Sequence, residues 1–281
     1  MNIVKQVEST VKKTIKDYKL FNKKEKIFVA LSGGKDSATA LYVLKKLGYN
    51  VEAFYLNLHI GDWSDRNQKA AEDLCSLLKV NLHLVDLRKE TGYSMCFIRG
   101  GIKSKEKMSN CLICGVIKRY LLNKKAREFG ANKIVTGHNL DDEVEVYFMN
   151  LLKANIDLLW GMGPKNGVTQ DKKLIQRIKP LYFITNAETR KFTGDLELPV
   201  VYEKCPCSTT AGIRNDVRAM VVDFEKNNKN IKKELINGLL EVVRNNKPKD
   251  AGNINYCEKC GEPSRNKICK SCSLFEKMFN K

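Results

Sequence analysis

Residues 27–46 read IFVALSGGKDSATALYVLKK. A five-residue apolar run, set between a charged cluster and a glycine pair, predicts a buried parallel strand over 27–31. The pattern after the turn predicts a helix from about 36 to 47. Between them lies LSGGKDS, residues 31–37. Gly33 and Gly34 let the backbone turn tightly and aim its N–H groups at an anion. The helix start adds its positive end, and Ser32 and Ser37 add hydroxyls. Such a loop can hold a pyrophosphate. It is not a Walker A loop, because the G-x-x-x-x-G-K-[ST] pattern is missing and Asp36 follows the lysine. A carboxylate beside phosphates is repelled unless Mg²⁺ lies between them. The stretch therefore predicts a metal-bridged nucleotide; the plain alternative is a glycine turn with no ligand.

Working outward, VEAFYLN (51–57) reads as a second strand and LHLVDL (82–87) as a third. KIVTG (133–137) reads as a fourth. Helices are predicted over 65–79, with Ser64 or Asp65 as N-cap, over about 113–129, and over 140–153. Strands alternating with helices imply an α/β fold: a Rossmann-like parallel sheet with helices on both faces. Ligands of such sheets bind beyond the carboxyl ends of the strands. The glycine pair, His59 and Gly137-His138 all fall there, pointing three loops at one crevice. Upstream, Ile3, Val7, Val11 and Ile15 recur every four residues and predict a basic amphipathic helix within 1–21. Downstream, helical segments are expected over 186–198, 212–226 and 230–244, and NNKPKDAGN (245–253) has linker composition. These signals divide the chain into a basic N-terminal helix (1–25), a catalytic domain (26–205), a helical extension (206–250) and a cysteine-rich C-terminal unit (251–281).

The chain has 50 basic and 32 acidic residues, a net charge of +18. That balance favours a polyanionic partner such as nucleic acid, against the plainer reading of a solvated lysine-rich surface. No apolar run approaches the about 20 residues of a membrane span, and the first residues do not form a signal sequence, so a cytoplasmic protein with no membrane partner is expected. In that setting the ten cysteines point to metal rather than disulfides. CEKCGEPSRNKICKSC (257–272) is C-x2-C-x8-C-x2-C. Cys257, Cys260, Cys269 and Cys272 in two knuckles suit tetrahedral Zn²⁺ and a small zinc finger, with an iron–sulfur cluster as the alternative. A unit this small needs the metal to fold.

A second Cys-x-x-Cys, Cys111 and Cys114, sits in NCLICGVIKRY (110–120) with no second pair nearby. It opens a helix, which is expected to depress the thiol pKa values. EKCPCS (203–208) supplies Cys205 or Cys207 as a distant third member. Three ligands and an open position suit a catalytic metal or a [4Fe–4S] cluster with one free iron. Persulfide chemistry between Cys111 and Cys205, or a purely structural role, are the competing readings. Cys75 and His83 read as core residues, Cys96 has no assigned role, and Arg214 and Arg218 suit either phosphate or solvent.

The S-G-G-x-D-S turn after a first strand resembles the PP-loop of the ATP pyrophosphatase superfamily, over roughly 26–205. CLICGVIKRYLLNKKAREFGANKIVTGHNLDDE (111–143) further resembles the core of the tRNA 2-thiouridine synthetases, the iron–sulfur-dependent tRNA thiolases. PP-loop, Cys-x-x-Cys, Thr136–Asp142 and Cys205-Pro206 occur in that family's order. The resemblance implies a PP-loop nucleotide-hydrolase fold and ATP-dependent 2-thiolation. The uridine C2 oxygen is adenylated, AMP and pyrophosphate are released, and sulfur delivered at a [4Fe–4S] cluster takes the oxygen's place. It implies Cys111, Cys114 and Cys205 as cluster ligands and catalytic residues, with Lys118 and Asp142 acting at the ATP site beside Gly137 and His138. His138 reads equally as a residue that orders its loop. The implied cofactors are ATP, Mg²⁺, the cluster and Zn²⁺. The implied partners are tRNA and a sulfur donor: sulfide, a thiocarboxylated ubiquitin-like protein or a desulfurase. Relatives of this kind are often dimers, so a homodimer is within the expectation. Cys207 departs from the family pattern and is an alternative third ligand. Two other functions stay open at this point: another PP-loop ligase that uses no iron, and a nucleic-acid-binding zinc protein that senses nucleotide without turnover.

Overall fold

The computed structural model describes residues 2–103, 108–165, 171–208, 212–246 and 254–279. In chain order the elements are α1 (Ile3–Asp17), β1 (Ile27–Leu31), α2 (Lys35–Lys46), β2 (Val51–Asn57), α3 (Gly61–Leu78) and β3 (Leu82–Asp86). Next come α4 (Leu87–Thr91), α5 (Met95–Lys103), α6 (Asn110–Glu128), β4 (Lys133–Val135), α7 (Leu140–Leu152), α8 (Ile156–Leu159) and β5 (Gln176–Ile178). The chain continues through α9 (Asn186–Asp195), α10 (Ile213–Asn227), α11 (Ile231–Asn246), β6 (Asn255–Tyr256), β7 (Pro263–Ser264) and α12 (Lys270–Phe279).

The five long-range strands form one sheet in the order β3-β2-β1-β4-β5, every pair parallel. The chain moves outward from β1 through β2 and β3, then returns to place β4 on the other side of β1. The loops after β1 and β4 therefore part at the switch point, where such sheets bind ligands. Period-two alternation assigns the faces. Ile27, Val29 and Leu31 pack with α1, α2 and α9 residues on one side. Phe28, Phe54 and Ile134 pack with Ala126 of α6 on the other. The four-residue apolar spacing in α1 is satisfied in that first core, where Ile3, Val7, Val11 and Ile15 are all buried. Each such side chain contributes about 1.5–3 kcal/mol on burial, so packing rather than charge holds this basic helix.

Several boundaries differ from the sequence reading for identifiable reasons. Helix α3 begins at Gly61, ahead of Ser64 and Asp65, so neither is the N-cap. Ser64 is instead buried in the first turn, where its Oγ accepts the Ile60 N–H at 2.9 Å. Helix α6 begins at Asn110 behind a Ser109 cap, which puts Cys111 and Cys114 in its first turns. β4 ends at Val135 and α9 at Asp195, both short of the expected limits. Strand β5 and helix α5 are additional elements: β5 is three residues long and α5 carries Gly100 and Gly101, so neither shows a clean periodicity. Most of the linker stretch, 247–253, lies outside the described residues. Among the described residues no helix is long and apolar enough to cross a membrane.

Candidate active site

The loops after β1 and β4 open on a crevice of about 720 Å³, within the size range of small-ligand sites. The first loop is built by its own hydroxyls. Ser37 Oγ accepts the Ser32 N–H at 3.1 Å and donates to the Gly34 carbonyl at 3.0 Å. Gly33 adopts φ +77°, and a Cβ there would meet Asn67 at 2.5 Å. Helix α2 has Gly34 at its N-cap and no side-chain cap, so its first N–H groups are left for a ligand. The second loop lies against the first: a Cβ on Gly137 would meet Ser37 N at 2.6 Å and Asp36 C at 2.8 Å.

Two carboxylates face each other across this junction. Asp36 accepts from Lys35 Nζ at 2.7 Å, Thr189 Oγ1 at 2.6 Å and Asn139 Nδ2 at 3.1 Å. Asn139 also caps α7 in a reciprocal box with Asp142, its Oδ1 accepting the Asp142 N–H at 3.1 Å. Asn139 thereby ties both acids into one frame. Burial and the nearby Asp36 push the Asp142 carboxyl up to about 6. Two such carboxylates beside an anion-binding loop could supply part of the oxygen donors of a divalent cation.

Cations line the rest of the nucleotide half. Lys118, Arg119, Arg177, Lys179 and Arg214 all border the crevice. Lys179 pairs with buried Glu143 at 2.6 Å. Arg214 stands 3.9 Å from Asp142 and 3.6 Å from Glu145. Arg218 is held away by Glu145 at 2.6 Å. His138 stands exposed in the crevice, its Nδ1 2.8 Å from Thr136 Oγ1. Desolvation within the crevice, with Lys179, Arg214, Arg177 and Lys118 around it, pushes the imidazole down to about 4. With that shift it is neutral at pH 7, and its hydrogen bond to Thr136 lies within its own loop.

The opposite wall carries the cysteines. Cys111 and Cys114 come from α6, Cys205 and Cys207 from the segment before α10, and all four border the same crevice. Asn110 Nδ2 donates to the Cys207 carbonyl at 3.2 Å and joins the two segments. Burial pushes the Cys114 thiol up, against the pull of Lys118 and Arg99, and also pushes Cys205 up. The expected depression by the helix N-terminus is thus overturned at Cys114, because desolvation outweighs the partial charge of the helix end. Arg99, buried on α5, donates to Cys96 Sγ at 3.2 Å and also hydrogen-bonds the Cys207 thiol. Cys111, Cys114 and Cys205 do not meet single-ion spacing, whereas the four terminal cysteines do, with ligand atoms all within 4.8 Å. In the terminal set burial pushes Cys257 up, but backbone N–H groups outweigh it and bring the thiol down to about 6.

The structure therefore gathers Ser32, Asp36, Ser37, Gly137, His138, Asp142, Lys118, Cys111, Cys114 and Cys205 at one crevice, with Gly33 and Gly34 shaping the first loop. His59 is not among them: its Nε2 is held 2.8 Å from Asp86, the residue that caps α4. His83 is structural, paired with Glu52 and stacked on Phe129.

A family model described as a PP-loop domain matches residues 3–225. The tRNA-5-methyluridine(54) 2-sulfurtransferase of Pyrococcus horikoshii is 36% identical, over 95% of this chain and 84% of its own. The chain belongs to the PP-loop tRNA 2-thiolation family. The enzyme of the same name from Thermotoga maritima is 32% identical over 98% of this chain and 90% of its own. Among solved structures, the U34-tRNA thiolase NcsA from Methanococcus maripaludis with its [4Fe–4S] cluster superposes with a TM-score of 0.80. It is 28% identical and covers 96% of this chain and 87% of its own. The crevice residues the sequence reading missed are Arg99, Arg119, Arg177 and Lys179. Arg177 and Lys179 lie on or just after β5, and a three-residue strand gives no signal that would have flagged them.

Proposed function

We propose that this chain is an ATP-dependent tRNA uridine 2-sulfurtransferase, with position 54 as the working target, working in the cytoplasm. The observation that carries the reading is that the nucleotide loop and the three cysteines border one crevice. Ser32, Gly33, Gly34 and Ser37 cradle the pyrophosphate portion of ATP. Asp36 and Asp142 would hold Mg²⁺, whose charge would offset the repulsion between acid and phosphate. The uridine C2 carbonyl enters between the walls and attacks the α-phosphate through its oxygen. This forms an adenylated base and releases pyrophosphate. Lys118 borders the same crevice one helical turn past Cys114, and its charge would stabilise negative charge developing on the phosphate. Arg177 and Arg214 add fixed positive charge on the same side. The activated carbon then faces the cysteine wall. Cys111, Cys114 and Cys205 would hold a [4Fe–4S] cluster, which when bound would present sulfide taken from an external sulfur donor as the nucleophile. AMP leaves as the oxygen is replaced. Cys257, Cys260, Cys269 and Cys272 hold Zn²⁺. Residues 26–205 carry the catalysis, 1–25 and 206–250 flank it, and 251–281 form the zinc unit.

The two relatives named for position 54 share more identity than the position-34 neighbour, which is why 54 is the working target. The test is to incubate the reconstituted enzyme with unmodified tRNA, ATP and sulfide, then digest the RNA and map 2-thiouridine by mass spectrometry. AMP release matched by thiolation at position 54 is expected. Thiolation at position 34 would move the target. ATP binding without AMP release would indicate a nucleotide sensor, and AMP release unaffected by iron removal would indicate another PP-loop ligase. With a charge of +18, tRNA affinity should fall steeply with salt, and a flat response would contradict a phosphate-dominated interface.

A further inference from the structure

The four-cysteine unit sits on the catalytic core through one buried carboxylate. Glu262, between the two cysteine knuckles, is 7% exposed. Arg127 of α6 grips both its oxygens, Nη1 reaching Oε2 at 3.0 Å and Nη2 reaching Oε1. Asn123 Nδ2, one turn earlier on α6, lies 3.4 Å from Oε2. The same two side chains hold the strand that follows. Asn123 Nδ2 and Arg127 Nη1 donate to the Lys173 carbonyl at 2.8 and 2.9 Å, and Asn123 Oδ1 accepts the Ile175 N–H at 3.0 Å. Lys173 closes the ring by donating from Nζ to the Gly261 carbonyl at 2.7 Å. Three segments meet here: the terminal unit, the C-terminal half of α6, and the lead-in to β5.

Both core segments end in the crevice. Helix α6 carries Cys111, Cys114, Lys118 and Arg119 there, and β5 delivers Arg177 and Lys179. The terminal unit supports α6 a second time. Leu274 and Met278 of α12 lie in the same hydrophobic cluster as Ile98, Ile102, Ile113 and Ile117, against which Cys114, Cys205 and Cys207 pack.

We propose that Glu262 is a positioning residue for the crevice, through which the four-cysteine unit locks the cysteine-bearing helix and the basic strand in register. The terminal metal site is thereby linked to the cysteine site at the other end of α6. The pair is costly to break at the buried end: without Arg127 the Glu262 carboxylate loses its main partner, and without Glu262 the Arg127 fork keeps only the Lys173 carbonyl. A small displacement of α6 moves two proposed cluster ligands and Lys118 together. The consequence for iron rests on the proposed function; the mechanical link does not.

The test compares Glu262→Ala, Glu262→Gln and Arg127→Ala in the full-length protein, with all ten cysteines in place. Zinc and iron per chain, the visible spectrum of the reconstituted protein, and amide hydrogen exchange are read for each. Glu262→Ala and Arg127→Ala should keep zinc and speed exchange roughly tenfold or more across 119–128 and 171–179, leaving β1 and α2 as protected as before. Iron occupancy should fall severalfold, with Glu262→Gln recovering part of both losses. Uniformly faster exchange everywhere would overturn the proposal in favour of general destabilisation. Wild-type exchange and iron in both alanine variants would overturn it outright. If wild type takes up no iron, the cluster reading fails, while the exchange pattern still decides whether Glu262 positions α6.

Discussion

The molecule carries two cysteine sites built on opposite principles. The terminal site draws all four members from residues 257–272, and its ligand atoms converge within 4.8 Å through short turns. The crevice site draws Cys111 and Cys114 from one helix and Cys205 from a segment more than ninety residues later, brought together by tertiary packing. The first is closed and local, the geometry of a structural metal. The second opens on the PP-loop and shares its crevice with Arg99, Lys118 and Arg119. A site that must admit a substrate cannot close on itself, so its ligands are held by tertiary packing. The cost is dependence on every element that positions them.

The sharpest way to separate the two halves of the crevice is Gly137→Ala. Its Cβ would press on the Ser37 and Asp36 backbone, so ATP binding should collapse and thiolation fall by about a hundredfold or more. Both metal sites should stay loaded. Calorimetric titration with ATP and metal analysis check the two halves of that statement, and retained ATP affinity would break it.

Next in size is the response to pH. Magnesium needs Asp142 as a carboxylate, and its folded-state pKa lies up at about 6 rather than the ordinary 3.8. Mg²⁺–ATP affinity should therefore weaken as pH falls through 6, approaching about tenfold per unit below it. The same group makes the opposite contribution to folding: its preference for the proton stabilises the fold as pH drops from about 6 towards 3.8. Asp142→Asn should bind Mg²⁺–ATP poorly at every pH and lose the slope.

Cys272→Ser should release the terminal metal and lower the thermal midpoint by several degrees, with proteolysis starting at the C-terminal unit. An unchanged midpoint would mean that the unit contributes nothing to the core. The smallest effect is Thr189→Val, which removes the 2.6 Å hydrogen bond to Asp36. A loss of about 1 kcal/mol, roughly fivefold in Mg²⁺–ATP affinity, is expected from titration.

The parts that were legible in the sequence are those with a local cause. The SGGKDS turn needs glycine and hydroxyls in place, and Cys-x-x-Cys pairs need only short spacing. Alternating strands and helices then indicated a parallel sheet with its crevice beyond the strand ends, while the order that puts β4 beside β1 came from the structure. What stayed hidden depends on distance. Arg99 looked unremarkable because its meaning comes from Cys96 and Cys207, and Arg177 because β5 is too short to show a period. Ser64 carries the chemistry of a helix cap but is buried within the first turn. The Cys114 thiol follows its burial rather than its place at a helix start, and burial is a tertiary quantity.

The central claim is that the crevice cysteines hold iron while the terminal cysteines hold zinc. It is tested most directly by metal and acid-labile sulfide content of anaerobically prepared protein, wild type beside Cys205→Ala. About four irons and about one zinc per chain, with the iron lost and the zinc kept in the variant, is the predicted result. Zinc alone in both proteins, even after attempted cluster reconstitution, would contradict it.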